Sequence, residues 1–223
     1  MTTNQLRLRQ LHYQITPDDY SALRTCLSVH AEELEVRSVH TMFFTSYRDR
    51  IPKDPMGEIL SLEPTGPRFS LHYYDDDPTY LMLERRLDEQ SSSTMVAEAE
   101  CRALLAGETD WLLYRHDPLL QEFHEGLTEQ MLLPQMLLTY QREVYMAEGL
   151  DLWVTLDTDI RASLQHMDFL DPWQLERDTM GQNGKILMEI SYSNHIPDNV
   201  FCMLEETAPR RRLLRSGHSK GRR

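Results

Sequence analysis

Seven stretches of this sequence read as β-strands, and most of them alternate polar and apolar residues at period two. They are LRLRQLHYQI (6–15), VHTMFFTS (39–46), RFSLHYY (68–74), TYLMLERR (79–86), MLLTYQREVY (136–145), DLWVTLDTDI (151–160) and KILMEISY (185–192). Successive side chains of a strand point to opposite faces, so an alternating stretch has one polar and one apolar face. In RFSLHYY, Arg68, Ser70, His72 and Tyr74 share one face while Phe69, Leu71 and Tyr73 share the other. The polar face looks either at bulk water or into the wet interior of a closed barrel. DDDP (75–78) reads as the turn that joins this strand to the next.

Helices fall between the strands. In TPDDYSALRTCLSVHA (16–31), Thr16 is placed to cap, Pro17 takes the first helical position, and two acids follow in the first turn. AEAECRALLAG (97–107) ends on Gly107, DPLLQEFHEGLTEQMLL (117–133) repeats apolar residues at helical spacing, and PDNVFCMLEET (197–207) begins on Pro197. DEQSSSTM (88–95) reads as a polar loop, and neither a linker nor an internal repeat divides the chain. Antiparallel strands interleaved with peripheral helices give an α+β fold, and an antiparallel β-barrel fits best. The expected organisation is one domain over 1–207 followed by a basic, disordered tail over 208–223.

Charge is distributed unevenly. Residues 210–223 hold seven Lys/Arg and no acid, which leaves 16 basic against 36 acidic side chains elsewhere, a net of −20. So acidic a body repels polyanions unless its few cations are concentrated in one place, and no nucleic-acid partner is expected for it. The tail reads as a solvated terminus or as a contact for an anionic surface. Three widely spaced cysteines (Cys26, Cys101, Cys202) point to a reducing compartment. No apolar run reaches the roughly 18 residues that span a bilayer, and MTTNQLRLRQ lacks a signal-peptide core. A cytoplasmic location is expected, and the sequence identifies no membrane partner.

Common catalytic motifs are absent: there is no glycine-rich phosphate loop, no paired-cysteine set and no His-Glu-x-x-His helix. Asp157 and Asp159 read either as a carboxylate pair on one strand face or as a strand running into a turn.

Several segments together resemble the VTC (vacuolar transporter chaperone) domain, the polyphosphate polymerases of the triphosphate tunnel superfamily. The matching stretches are CRALLAGETDWLL (101–113), HDPLLQEF (116–123), LLPQMLLTYQREVY (132–145), WVTLDTDIRAS (153–163) and ILMEISYSNHIPD (186–198), with weaker matches at QLHYQI, RFSLHYY and LMLERR. The resemblance implies an antiparallel β-barrel tunnel with peripheral helices and a lumen lined by cations and a few glutamates. It also implies that ATP and a divalent metal (Mn or Mg) bind there, and that the terminal phosphate passes to a growing polyphosphate chain. Fixed cations and metal suit phosphoryl transfer, which depends on positioning and charge neutralisation.

Transferred onto this chain, the resemblance makes Arg86 and Arg142 the catalytic cations and Glu84 and Glu189 the metal ligands. Phosphate-binding candidates are His12, Arg68, His72, Tyr140 and Arg215. Many of the family's cation positions are changed, to His12, Ser70, His72, Trp153 and Ser191, and a further lysine falls near Ser91. A charge-assisted hydrogen bond is worth roughly 1.5–3 kcal/mol, so even two such losses weaken a triphosphate about a hundredfold. One compensation is for His12 and His72 to become protonated beside a phosphate; as an alternative to holding a metal, Glu84 and Glu189 simply pair with Arg86 and Arg142. Three readings follow: a polymerase that is weakened or inactive, a non-catalytic tunnel serving as a binding or scaffold protein, and an interaction module that uses the basic tail.

Overall fold

A computed structural model describes residues 9–46, 68–87, 90–146, 151–163, 169–171, 180–181, 184–193, 196, 198–209 and 212–214. The strands are β1 (Arg9–Ile15), β2 (Glu32–Ser46), β3 (Arg68–Tyr74), β4 (Asp77–Leu87), β5 (Gln90–Ala97), β6 (Leu132–Met146), β7 (Leu152–Ser163), β8 (Met180–Gly181), β9 (Ile186–Tyr192) and β10 (Arg212–Leu214). The helices are α1 (Pro17–His30), α2 (Glu98–Leu105), α3 (Trp111–Tyr114), α4 (Pro118–Glu129) and α5 (Asp198–Thr207). The strands form one antiparallel sheet in the order β10-β1-β9-β7-β6-β2-β3-β4-β5, with β8 paired to β7.

Alternation sorts the strand side chains between two environments. Phe69, Leu71, Tyr73, Leu81 and Leu83 point outward into a core completed by Leu104, Leu112, Leu120 and Phe123 of α2, α3 and α4. On the other half of the sheet, Tyr13, Ile15, Val154, Leu156 and Ile190 meet Leu23 and Leu27 of α1 and Val200 and Leu204 of α5. Each fully buried Leu or Phe stabilises by about 1.5–3 kcal/mol, so the helices are held on the outside. The opposite parity of every main strand is thereby left for the inner face. The sheet curls around that face as a tunnel-like barrel. Among the described residues its hydrogen-bonded path is open, with β5 and β10 as the two ends, where complete closure was expected.

Local chemistry explains the element boundaries. Thr16 caps α1, its hydroxyl accepting from the Asp19 N–H, and Asp117 caps α4 by accepting from the N–H groups of Leu119 and Leu120. Asp75 and Asp76 both have positive φ, 54° and 55°. That geometry belongs to a two-residue turn whose twist matches the flanking strands, and Asp is one of the few non-glycine residues that adopts it readily. On the outer face, Glu143 of β6 accepts from Tyr20 (2.6 Å) and Tyr145 (2.7 Å) and pairs with Arg24 (3.2 Å). This cluster fastens α1 to the sheet; burial, and then the Glu143 carboxylate, push the Tyr20 phenol up to about 12.

Three expectations need correcting. The stretch read as a loop over 88–95 is mostly strand, because β5 pairs with β4 from Gln90 to Ala97. Strand β2 begins at Glu32, seven residues before the stretch that alternation marked. Residues 212–214, assigned to the tail, form β10 on the outer edge of β1, with His12 opposite Leu214. Pro197 and Arg215 lie outside the described residues. No described helix is long and apolar enough to cross a membrane.

Candidate functional site

The inner face encloses a cavity of about 450 Å³. His12 comes from β1, Arg68, Ser70 and His72 from β3, Glu84 and Arg86 from β4, Tyr140 and Arg142 from β6, and Glu189 from β9. The stretch 68–74 therefore turns its polar face to a lumen. Ser191 shares the Glu189 face of β9, is buried and donates to Glu189 at 2.8 Å. Trp153 has the same parity on β7 as Asp157 but is not among the residues that line the cavity.

Strand register dictates who meets whom. Arg142 of β6 lies opposite Asp157 of β7, and its guanidinium grips that carboxylate with two bonds of 2.7 Å while lying 5.2 Å over the Tyr140 ring. Burial opposes the Arg142 charge, but Asp157 and Tyr140 outweigh it and hold its pKa well above the ordinary value. Burial pushes Tyr140 up to about 12, so its hydroxyl stays protonated.

Arg86 reaches Glu84 at 3.3 Å, and Ser91 donates to the same carboxylate oxygen. Glu189 accepts from Gln10 at 2.9 Å and faces His12 Nδ1 at 3.5 Å. Burial penalises both glutamates, yet their pKa values sit below the usual range because the charges around them, led by Arg86, win.

Asp157 and Asp159 do not form a carboxylate pair. Asp159 sits in a bulge with φ of 46°, where the β6–β7 register slips between Thr139 and Gln141. The extra residue reverses the parity, so Ile160 enters the lumen while Asp159 is exposed and pairs with Arg161 at 3.0 Å. The expected Glu189–Arg142 pairing is likewise replaced by Asp157–Arg142.

Among the described residues the lumen wall holds three arginines (Arg68, Arg86, Arg142) against three carboxylates (Glu84, Asp157, Glu189). The histidines do not tip this balance. Burial is the largest influence on both, and His12 and His72 are lowered from 6.5 despite the carboxylates beside them, so at neutral pH they are uncharged.

The two glutamates do not make a cation site of protein atoms alone. One oxygen of each already takes two donors, Glu84 Oε1 from Arg86 and Ser91 and Glu189 Oε1 from Gln10 and Ser191, and no three ligating side chains converge among the described residues.

Two groups escaped sequence reasoning. Asp157 was marked only as half of a carboxylate pair, because partners across strands depend on register. An apolar wall formed by Phe43, Leu138, Ile160 and Leu187 was also missed, although each of these residues lies in or beside a stretch read as a strand.

Searching the curated proteins returns no match. Among solved structures, the Hippeastrum protein HpAC1, described as having a dominant triphosphatase activity, is 13% identical with a TM-score of 0.52, covering 95% of this chain and 92% of that one. The PH1819 protein of Pyrococcus horikoshii OT3 is 12% identical with a TM-score of 0.45, covering 89% and 85%. The first of these likenesses shows the tunnel fold. The VTC domain family matches residues 8–212. With the fold, the lumen and this match in agreement, the chain belongs to the VTC domain family.

Proposed function

We propose that this chain is a tunnel domain of the polyphosphate polymerase family whose transfer of the ATP terminal phosphate has been weakened or lost, leaving a non-catalytic binding or scaffold tunnel. One observation carries the reading: among the described residues, the lumen's three arginines are matched by three carboxylates, and its two histidines are neutral at neutral pH. A triphosphate entering such a lumen meets as many fixed negative charges as positive ones. Ser70, a family cation position, can neither reach nor neutralise a phosphate oxygen. Arg142, one of the two cations assigned to catalysis, is committed to Asp157 on both arms. Phosphoryl transfer depends on unspent cation charge aimed at the transferring oxygens, and little remains here.

A second reading, retained polymerase activity, draws on Glu84, Arg86, Tyr140, Arg142 and Glu189 all lining one cavity. Incubation with ATP and Mn²⁺ or Mg²⁺, followed by quantification of polyphosphate, separates the two. The proposal expects polymer at or near the level of a no-protein control, and ATP-dependent polymer growth that continues over many turnovers per protein overturns it.

A further inference from the structure

The lumen is divided, not merely neutral. On β2, β6, β7 and β9, Phe43, Leu138, Ile160 and Leu187 pack into one apolar surface, with Leu138 and Ile160 buried and the other two half-buried. On β3 and β4, Arg68 and Arg86 sit directly opposite each other in the strand register, and both face the lumen. An anionic group seated between them would be held by two charge-assisted contacts. Phe43 pairs with Ser70, the lumen neighbour of Arg68 on β3, so the apolar surface begins next to the arginine pair. A wall built for a polyphosphate has no use for that surface, because phosphate oxygens gain nothing from apolar contact and lose water. The cavity volume, about 450 Å³, is within the range that encloses a small organic molecule.

We propose that the lumen takes an amphipathic ligand with a single anionic group, one phosphate or carboxylate held between Arg68 and Arg86, and an aromatic or aliphatic body laid on Phe43, Leu138, Ile160 and Leu187. This rests on the reading that the triphosphate chemistry has been weakened or lost, and it names what the altered tunnel accepts. Arg86 contributes by turning part of its charge from Glu84 toward the anion, while Arg142 stays with Asp157. Selectivity follows from the division of the wall: affinity rises with apolar area attached to one anionic group, not with the number of phosphates.

Calorimetric titration of the unmodified protein with inorganic phosphate, tripolyphosphate, phenyl phosphate and 3-phenylpropionate tests this. Either phenyl ligand should bind about tenfold or more tightly than inorganic phosphate, and at least as tightly as tripolyphosphate. Which phenyl ligand is preferred tells a phosphate from a carboxylate. Arg68→Gln should weaken the preferred ligand by about tenfold. Phe43→Ser should weaken it while leaving inorganic phosphate unaffected, and melting curves establish that each variant is folded. The ranking in the unmodified protein stands as a test even where a variant unfolds. Equal affinity for phenyl and inorganic phosphate, or no binding of any ligand at millimolar concentration, overturns this inference and leaves the loss of polymerase chemistry standing. Tripolyphosphate binding about tenfold tighter than both phenyl ligands overturns both.

Discussion

Replacing Asp157 with Asn probes the charge cancellation at its strongest point. The substitution is nearly isosteric, so packing survives while the lumen loses one negative charge. Arg142 then keeps at most one hydrogen bond where it had two at 2.7 Å, and its charge loses its closest partner. Breaking a buried pair from one side costs about 3–5 kcal/mol; the lower end applies because the Arg142 side chain retains 27% exposure and Asp157 10%. For a domain of this size each 1 kcal/mol moves Tm by about 2–4 °C, so a fall of roughly 6–12 °C is expected. The same change frees a cation for an anionic ligand. One charge-assisted contact is worth roughly 1.5–3 kcal/mol, which makes tripolyphosphate bind Asp157→Asn on the order of tenfold to a hundredfold more tightly than it binds the unmodified protein. Scanning fluorimetry with and without tripolyphosphate reads both effects. A variant that melts like its parent and gains no affinity would refute the reasoning, because Arg142 would then not have been neutralised by Asp157.

Other perturbations reach different parts of the structure. Because burial holds His12 and His72 below 6.5, the unfolded chain takes up protons there that the folded chain refuses. Stability should therefore fall as pH drops below about 6.5, and a His12→Gln, His72→Gln double variant should flatten that part of a Tm-versus-pH curve. Glu84 and Glu189 have depressed pKa values, so their contribution is present above about 4.5 and is lost as pH falls further, a loss that Glu189→Gln should reduce. Tyr20→Phe should cost about 1–2 kcal/mol in urea unfolding, since buried Glu143 loses one donor, while lumen ligand affinity stays unchanged. Thr16→Ala should cost about 1 kcal/mol through the lost α1 cap.

What the sequence revealed depended on whether the deciding physics was local. Thr16 and Pro17 announced α1 because a cap acts within one turn, and DDDP announced the β3–β4 turn because aspartate tolerates positive φ. Strand parity was readable too, so the placement of Arg68, Ser70 and His72 on one face carried over unchanged into the lumen. Strand β5 was not readable. Its lumen face is Ser91 and Ser93, and serine on both faces of a half-exposed edge strand erases the hydrophobic alternation. The bulge at Asp159 left no mark either, since one inserted residue changes parity without changing composition. The Arg142–Asp157 pair and the apolar wall depend on which strands are neighbours and in what register, and period-two patterning carries neither. The retained residues and a pairing of Arg86 with Glu84 were therefore visible in the sequence, but the neutralisation of Arg142 by Asp157 was not.

On the proposed reading, fixed charges in the lumen cancel and thereby exclude a triphosphate. The difference in tripolyphosphate affinity between the unmodified protein and the Ser70→Arg, His72→Arg double variant, measured by calorimetry at pH 7.5, tests it most directly. Binding no tighter than about 1 mM is expected in the unmodified protein, and about a hundredfold gain in the variant, from two restored charge-assisted contacts. Micromolar binding by the unmodified protein, or a folded double variant with no gain, would contradict it.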